Sequence, residues 1–323
     1  MKQTPFESSH RPAWAAFERF LDRSGEKAGE SQGFAPAEMP ARYRRLCQNL
    51  ALAADRHYSP ELVDLLNRLA LRGHHLLYAN RGRQSQRVVE FFLSGFPSLV
   101  RAEWRLVGAA ALLFFGPLLL LIVVLQISPE FVHYLLGPRE IADFQEMYQP
   151  ASPRLGMREA DSNVLMFGYY IWNNVRIGFQ TFAGGILAGI GSVWFLVSNG
   201  VVIGAVAGHV TQAGHGPQFW SFVSGHSAFE LMAIVLSGAA GMRLGLAVIS
   251  PGRLTRKQAL VLAAKPAVMM MYGAAAMFTA AAFVEAFWSP LTLPFGIKIA
   301  AGLVAWAAVA GWFALAGRRR AAF

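Results

Sequence analysis

Gly225-His226-Ser227-Ala228-Phe229-Glu230 opens an apolar segment running to Ile249, and it sets a histidine and a glutamate four residues apart. Side chains at i and i+4 share one face of a helix, so this imidazole and carboxylate can touch. Such a pair can relay a proton, hold a ligand or clasp two helices. Ionisable groups are expensive in hydrocarbon, and those that occur there face a bundle interior and mark function. Three readings compete. In the first, Glu230 and His226 join Asn173 and Asn174 in a buried network that holds helices in register. In the second, the titratable pair lines a transport or ligand site beside a broken helix. The third is acid–base or metal catalysis, for which a metalloprotease helix needs His-Glu-x-x-His. Here only the distant His209 and His215 could assist. No glycine-rich phosphate loop, Gly-x-Ser-x-Gly elbow or zinc-ligand spacing is present, so the chain reads as non-enzymatic, with no cofactor and no metal. Asn199 and Arg243 complete the polar set, Arg243 pairing with an acid or a helix end. Glu285 and Lys298 lie near span ends and are expected to snorkel to the interface.

These residues need membrane helices to position them. Of 323 residues, 54% are hydrophobic and 15% charged, well below the roughly 25% charged of soluble domains. Apolar runs of about 20 residues argue for spans, and the fold class is an all-α polytopic bundle. Six spans are expected: Leu106–Ile127, Ile177–Val197, a third from Val201 that is broken or re-entrant at Gly214-His215-Gly216-Pro217, Ser224–Ile249, Ala259–Phe287 and Ile297–Leu315. Ser198-Asn199-Gly200 reads as the turn before the third. The segment 128–163 holds six acids against three arginines, together with four prolines, and suits an external loop. With the N-terminus inside, six crossings put the basic loop Gly252–Lys257 and Arg318-Arg319-Arg320 inside as well, as the positive-inside rule requires.

Residues 1–105 are polar and carry 16 of the 29 Lys/Arg and 11 of the 19 acids. They read as a small helical cytoplasmic region ahead of a transmembrane domain at 106–323. An amphipathic helix at Pro12–Leu21 presents Trp14, Phe17 and Leu21 on one face. A linker over Ser24–Pro40 precedes helices at about 40–57 and 60–80, the latter started by Ser59-Pro60. Between Arg81 and Arg105, apolar residues alternate with arginines. That pattern fits either a helix on the anionic inner leaflet, kinked at Gly95-Phe96-Pro97, or one packed on its neighbours. The formal charge of +10 is explained by bases flanking apolar runs, and no groove-reading motif points to nucleic acid. The single cysteine, Cys47, excludes an intrachain disulfide and a thiolate cluster.

An ordered set of motifs resembles the stage II sporulation protein M family of integral membrane proteins. It comprises Tyr170-Ile171-Trp172-Asn173-Asn174-Val175-Arg176, the glycine-rich Gly184–Gly191, Asn199-Gly200 with Gly204, Gly225–Leu231, and Gly241-Met242-Arg243-Leu244-Gly245, within residues 95–317. Ser227 departs from the glycine expected after the histidine. The resemblance implies a multi-pass protein of the bacterial cytoplasmic membrane, and the parity of six spans puts both termini in the cytoplasm. In spore formers it implies a scaffold for peptidoglycan-degrading partners. Expected partners are membrane lipids and proteins bound at the N-terminal region and external loop, and a homo-oligomer is compatible with both.

Overall fold

The computed structural model describes residues 3–23, 34–35, 38–149 and 160–318. The linker expected over Ser24–Pro40, the second half of the acidic loop and the last two terminal arginines lie largely outside them. All regular elements among the described residues are helical, and the chain divides into two compact units, Met1–Glu90 and Phe91–Phe323.

The first unit consists of α1 (Gln3–Arg23), α2 (Met39–Asp55) and α3 (Pro60–Glu90). Trp14, Phe17 and Leu21 are buried as their spacing predicts, alongside Phe6, Leu46, Leu62, Leu66 and Leu69. Pro12 does not start α1 but lies inside it. The added turns bury Phe6, whose ring meets those of Trp14 and Tyr58 at 5.8 and 5.3 Å. The Gln3 amide exchanges two 3.0 Å hydrogen bonds with Ser59, just ahead of α3.

The second unit contains α4 (Phe96–Ala102), α5 (Trp104–Ile127), α6 (Pro138–Met147), α7 (Ala160–Ala183), α8 (Ile190–Val210), α9 (Gly216–Ile249), α10 (Arg256–Phe283) and α11 (Phe295–Leu315). Among the described residues, four stretches are long and apolar enough to cross a membrane: Trp104–Ile127, Ile190–Ile249, Arg256–Trp288 and Phe295–Leu315. The second of these, 60 residues long, is folded back on itself at a π-turn, Thr211–His215, where Gly214 has φ of +88°. Leu196 of α8 packs on Gly238 of α9, and Ser192 on Gly241, so the two helices are antiparallel.

Several expected boundaries are corrected. The glycine-rich run Gly184–Gly191 is not the middle of a span but the break between α7 and α8. Ala188 and Gly189 there take φ of +52° and +82°, a left-handed bend that a helix cannot contain. Ser198-Asn199-Gly200 is consequently inside α8 rather than a turn, and the third apolar segment begins earlier, at Ile190; the break expected at Gly214-His215-Gly216-Pro217 is present, as the π-turn with a left-handed Gly214 that separates α8 from α9. Asn173 and Asn174 lie in the second half of α7, not at the start of a span.

Glycines let the helices touch backbone to backbone. Gly200, Gly204 and Gly208 form a stripe on α8 that seats the carbonyls of Phe114, Leu118 and Leu121 of the parallel α5. Gly185 of the α7–α8 bend meets Gly241, and Gly189 meets Gly245. In hydrocarbon, association comes from such close packing rather than from apolar burial. The arginine-rich segment resolves as a π-turn, Phe91–Gly95, leading into α4, which packs on the bundle. Phe96 is fully buried, seated on Gly273 of α10 and against Trp312 and Phe313 of α11, while Arg101 donates to the Phe313 carbonyl at 2.6 Å.

The segment after α5 is also folded. A 3-10 turn at Pro129–Tyr134 and α6 bury Val132, Leu136, Ile141 and Tyr148 against the adjoining ends of α5, α8 and α9. Gly137 starts α6, its N–H donating to Glu140 at 2.8 Å.

A Cβ at Gly204 would stand 2.6 Å from the Leu118 carbonyl, whereas nothing lies within 4 Å of one at Gly311. Gly204→Val is therefore expected to destabilise the bundle by about 1–3 kcal/mol. Gly311→Ala should be neutral or stabilising by up to about 1 kcal/mol. Thermal unfolding of the two purified variants in one detergent checks the contrast, and equal midpoints would refute the glycine-stripe account.

Candidate functional site

His226 sits near the end of α9 that adjoins the folded segment, 4% exposed. Its Nε2 is 3.7 Å from Glu230 Oε2, one turn further along, as the i, i+4 spacing predicts. Its Nδ1 is 3.1 Å from Ser289 Oγ, and the Phe222 ring meets the imidazole edge-on at 5.7 Å. The ring is thus held by a hydrogen bond on one nitrogen and by packing on its face. The other nitrogen is left turned to Glu230.

Ser289 follows a π-turn, Val284–Trp288, that ends α10. Such single π-turns are frequent at functional sites because they re-aim side chains. Gly225 makes this one possible: a Cβ there would overlap the Trp288 ring and press on Val284. With the turn seated on Gly225, Glu285 comes to the pair. Ligand atoms of His226, Glu230 and Glu285 all lie within 4.8 Å of one another. Glu285 is half-buried and belongs to the site, a correction to its expected snorkelling.

Lys298 is corrected in the same way, being only 4% exposed. Its Nζ donates to the Ser289 carbonyl at 2.6 Å and lies 5.5 Å from the Trp288 ring centre. Ser224 Oγ donates to the Lys298 carbonyl at 3.1 Å. Ser227, at the position where the family resemblance led us to expect glycine, accepts from Trp306 Nε1 at 3.1 Å. Alpha-9, the turn after α10 and the start of α11 are therefore joined by one polar chain. Ser289 Oγ, His226 and Glu230 lie in a row but lack the hydrogen-bonded connectivity of a nucleophile, base and orienting acid, since 3.7 Å separates the imidazole from the carboxylate. Ser289 is 2% exposed, and its hydroxyl lies within hydrogen-bond distance of the imidazole.

Tyr148, just past α6, covers this end of the bundle and packs edge-on to Phe219 at 5.1 Å. Burial, reinforced by Glu285, Tyr170 and Glu230, raises its hydroxyl above the usual tyrosine range.

The other predicted members lie elsewhere. Asn174 is buried, with Oδ1 accepting from Asn173 at 3.3 Å and its own Nδ2 unpartnered. Arg176 donates to Asn173 at 3.4 Å and stacks on Trp172. Among the described residues, no hydrogen bond joins either asparagine to His226 or Glu230. Gly178 packs on Ser237, which sets Asn174 a turn away at the level of about Ala233 on the parallel helix. Asn199 donates to the Phe195 carbonyl of its own helix at 2.6 Å. Arg243, roughly 25 Å along α9 from His226, pairs with Glu103 at the start of α5, the acid partner expected for it. A cleft of about 360 Å³ opens there, lined by Leu106, Arg243, Leu246, Ala247, Ser250 and Ala263. The site that assembles is thus His226, Glu230 and Glu285, supported by Ser289 and Lys298. Glu285 and Lys298 were visible as ionisable residues in apolar segments, but their convergence was not.

Comparison with known proteins follows the two-unit division. Residues 4–79 match a domain of unknown function, DUF8413. No curated protein and no solved structure matches the chain. Residues 109–290, more than half of the sequence and spanning α5 to the turn after α10, match the family model of Stage II sporulation protein M. The chain is a membrane protein of the stage II sporulation protein M family.

Proposed function

We propose that this protein is a non-enzymatic scaffold of the bacterial cytoplasmic membrane that organises partner proteins on both sides. The observation that carries the reading is the glycine-seated packing of α5, α7, α8 and α9, which gives a bundle of rigid, closely apposed backbones. Such a frame suits holding partners better than rearranging around a solute. Two platforms accompany it. One is the helical unit Met1–Glu90, with its own core. The other is the folded segment from Pro129 to Tyr148. The family resemblance, whose namesake implies a scaffold, supports the same reading.

In this reading the chain crosses six times, by α5, α7, α8, α9, α10 and α11. Both termini and the Gly252–Lys257 loop are cytoplasmic, and α6 is outside. In a Cys47→Ser background, Arg139→Cys should react with a membrane-impermeant maleimide added to intact cells, and Arg253→Cys only after lysis. Labelling of both from the same side would overturn this topology.

Partner organisation has its own test. Photo-crosslinkers at exposed positions of α6 and of the first unit should capture discrete proteins in native membranes, and deleting residues 1–80 should abolish the cytoplasmic set. Absence of any discrete product, with cellular function intact after the deletion, would remove the scaffold reading.

A second reading, transport of a solute or lipid, is favoured by one observation: the convergence of His226, Glu230 and Glu285 inside an apolar bundle. Glu230→Gln in reconstituted vesicles should then reduce flux at least tenfold while leaving folding unchanged. Equal flux in wild type and variant, for every solute tried, would eliminate it.

A further inference from the structure

We propose that His226, Glu230 and Glu285 form a binding site for one divalent transition-metal ion, of the Zn²⁺ or Mn²⁺ class, which ties α9 to the turn ending α10. The three ligand atoms come from two elements and lie within 4.8 Å of one another. The separation of His226 Nε2 from Glu230 Oε2, 3.7 Å, is too long for a hydrogen bond. It matches two ligands of one ion: with bonds of about 2.0–2.2 Å, ligands stand from about 3 Å apart at a right angle to about 4 Å apart when nearly opposite.

Two further features single out this cluster. The donor set, one imidazole nitrogen and carboxylate oxygens, suits borderline divalent ions better than Mg²⁺, which prefers oxygen alone and keeps its waters. The imidazole is oriented from behind, as metal-bound histidines are, since Ser289 Oγ holds Nδ1 and leaves Nε2 for the ion. The site lies about 35 Å along α9 from its far end at Ile249, beneath Tyr148 and close to the folded segment. Three protein ligands leave a coordination position for water or a partner's side chain.

The test uses the full-length protein in detergent and in nanodiscs, stripped with chelator and then dialysed against Zn²⁺ or Mn²⁺. Wild type should retain about one ion per chain of at least one of them. Glu285→Gln and His226→Gln should each weaken binding at least tenfold, and Ser289→Ala about tenfold. His74→Gln/His75→Gln, a histidine pair far from these residues in sequence, should leave binding unchanged. Because a site variant could fail to fold, Co²⁺ loading of wild type supplies an independent readout, visible ligand-field bands of nitrogen and oxygen coordination. Folded wild type that binds neither ion and shows no such bands overturns the proposal. So does folded Glu285→Gln that binds as tightly as wild type.

Discussion

Helices surrounded by lipid gain little by hiding apolar side chains from one another, because the lipid is equally apolar, so their association depends on shape and close approach. In this protein the approach is provided by glycines placed where two backbones meet. The carbonyls of Phe114, Leu118 and Leu121 rest on Gly200, Gly204 and Gly208, and the bend between α7 and α8 rests on Gly241 and Gly245. A methyl group at most of these positions would overlap backbone atoms, which cannot move aside as a side chain can. Everything else in the bundle inherits its spacing from these contacts.

The polar site is one consequence. Gly225 brings the turn after α10 onto α9, and only at that separation do Glu285 and Ser289 reach His226. The histidine is immobilised by Ser289 and Phe222, and the carboxylates converge beside it under the cover of Tyr148. Such preorganisation is what a ligand site needs, since a bound ion then has no side chains to order. A scaffold and an ion site are compatible: an ion bridging α9 and the end of α10 would brace the same frame that seats the folded segment above it. At the opposite end of α9, the Arg243–Glu103 pair joins α9 to the start of α5, so one end of the helix is tied to its neighbours by hydrogen bonds and the other by an ion pair.

The family assignment narrows the setting without dictating chemistry. The match runs from α5 through the turn after α10, so it includes His226, Glu230 and Glu285 and stops short of Lys298. The N-terminal helical unit matches a separate domain family, which fits its independent core.

Much was determined by the sequence alone. Long apolar runs with few charges specify membrane helices, because unpaired backbone groups are too costly in hydrocarbon for any open structure. Helical periodicity placed Trp14, Phe17 and Leu21 inward, the i, i+4 spacing paired His226 with Glu230, and the ordered motifs identified the family. Tertiary structure alone decided the rest. Glycines are read from sequence as small residues suited to a span, yet Gly184–Gly191 is a bend and Gly200–Gly208 a packing stripe. The difference lies in φ and in what stands opposite each Cα, which composition does not encode. Glu285 and Lys298, 55 and 68 residues beyond Glu230, looked like span-end charges free to reach the interface. Only the antiparallel return of α10 and the seating of its π-turn on Gly225 turned Glu285 inward toward the histidine and buried Lys298 behind Ser289.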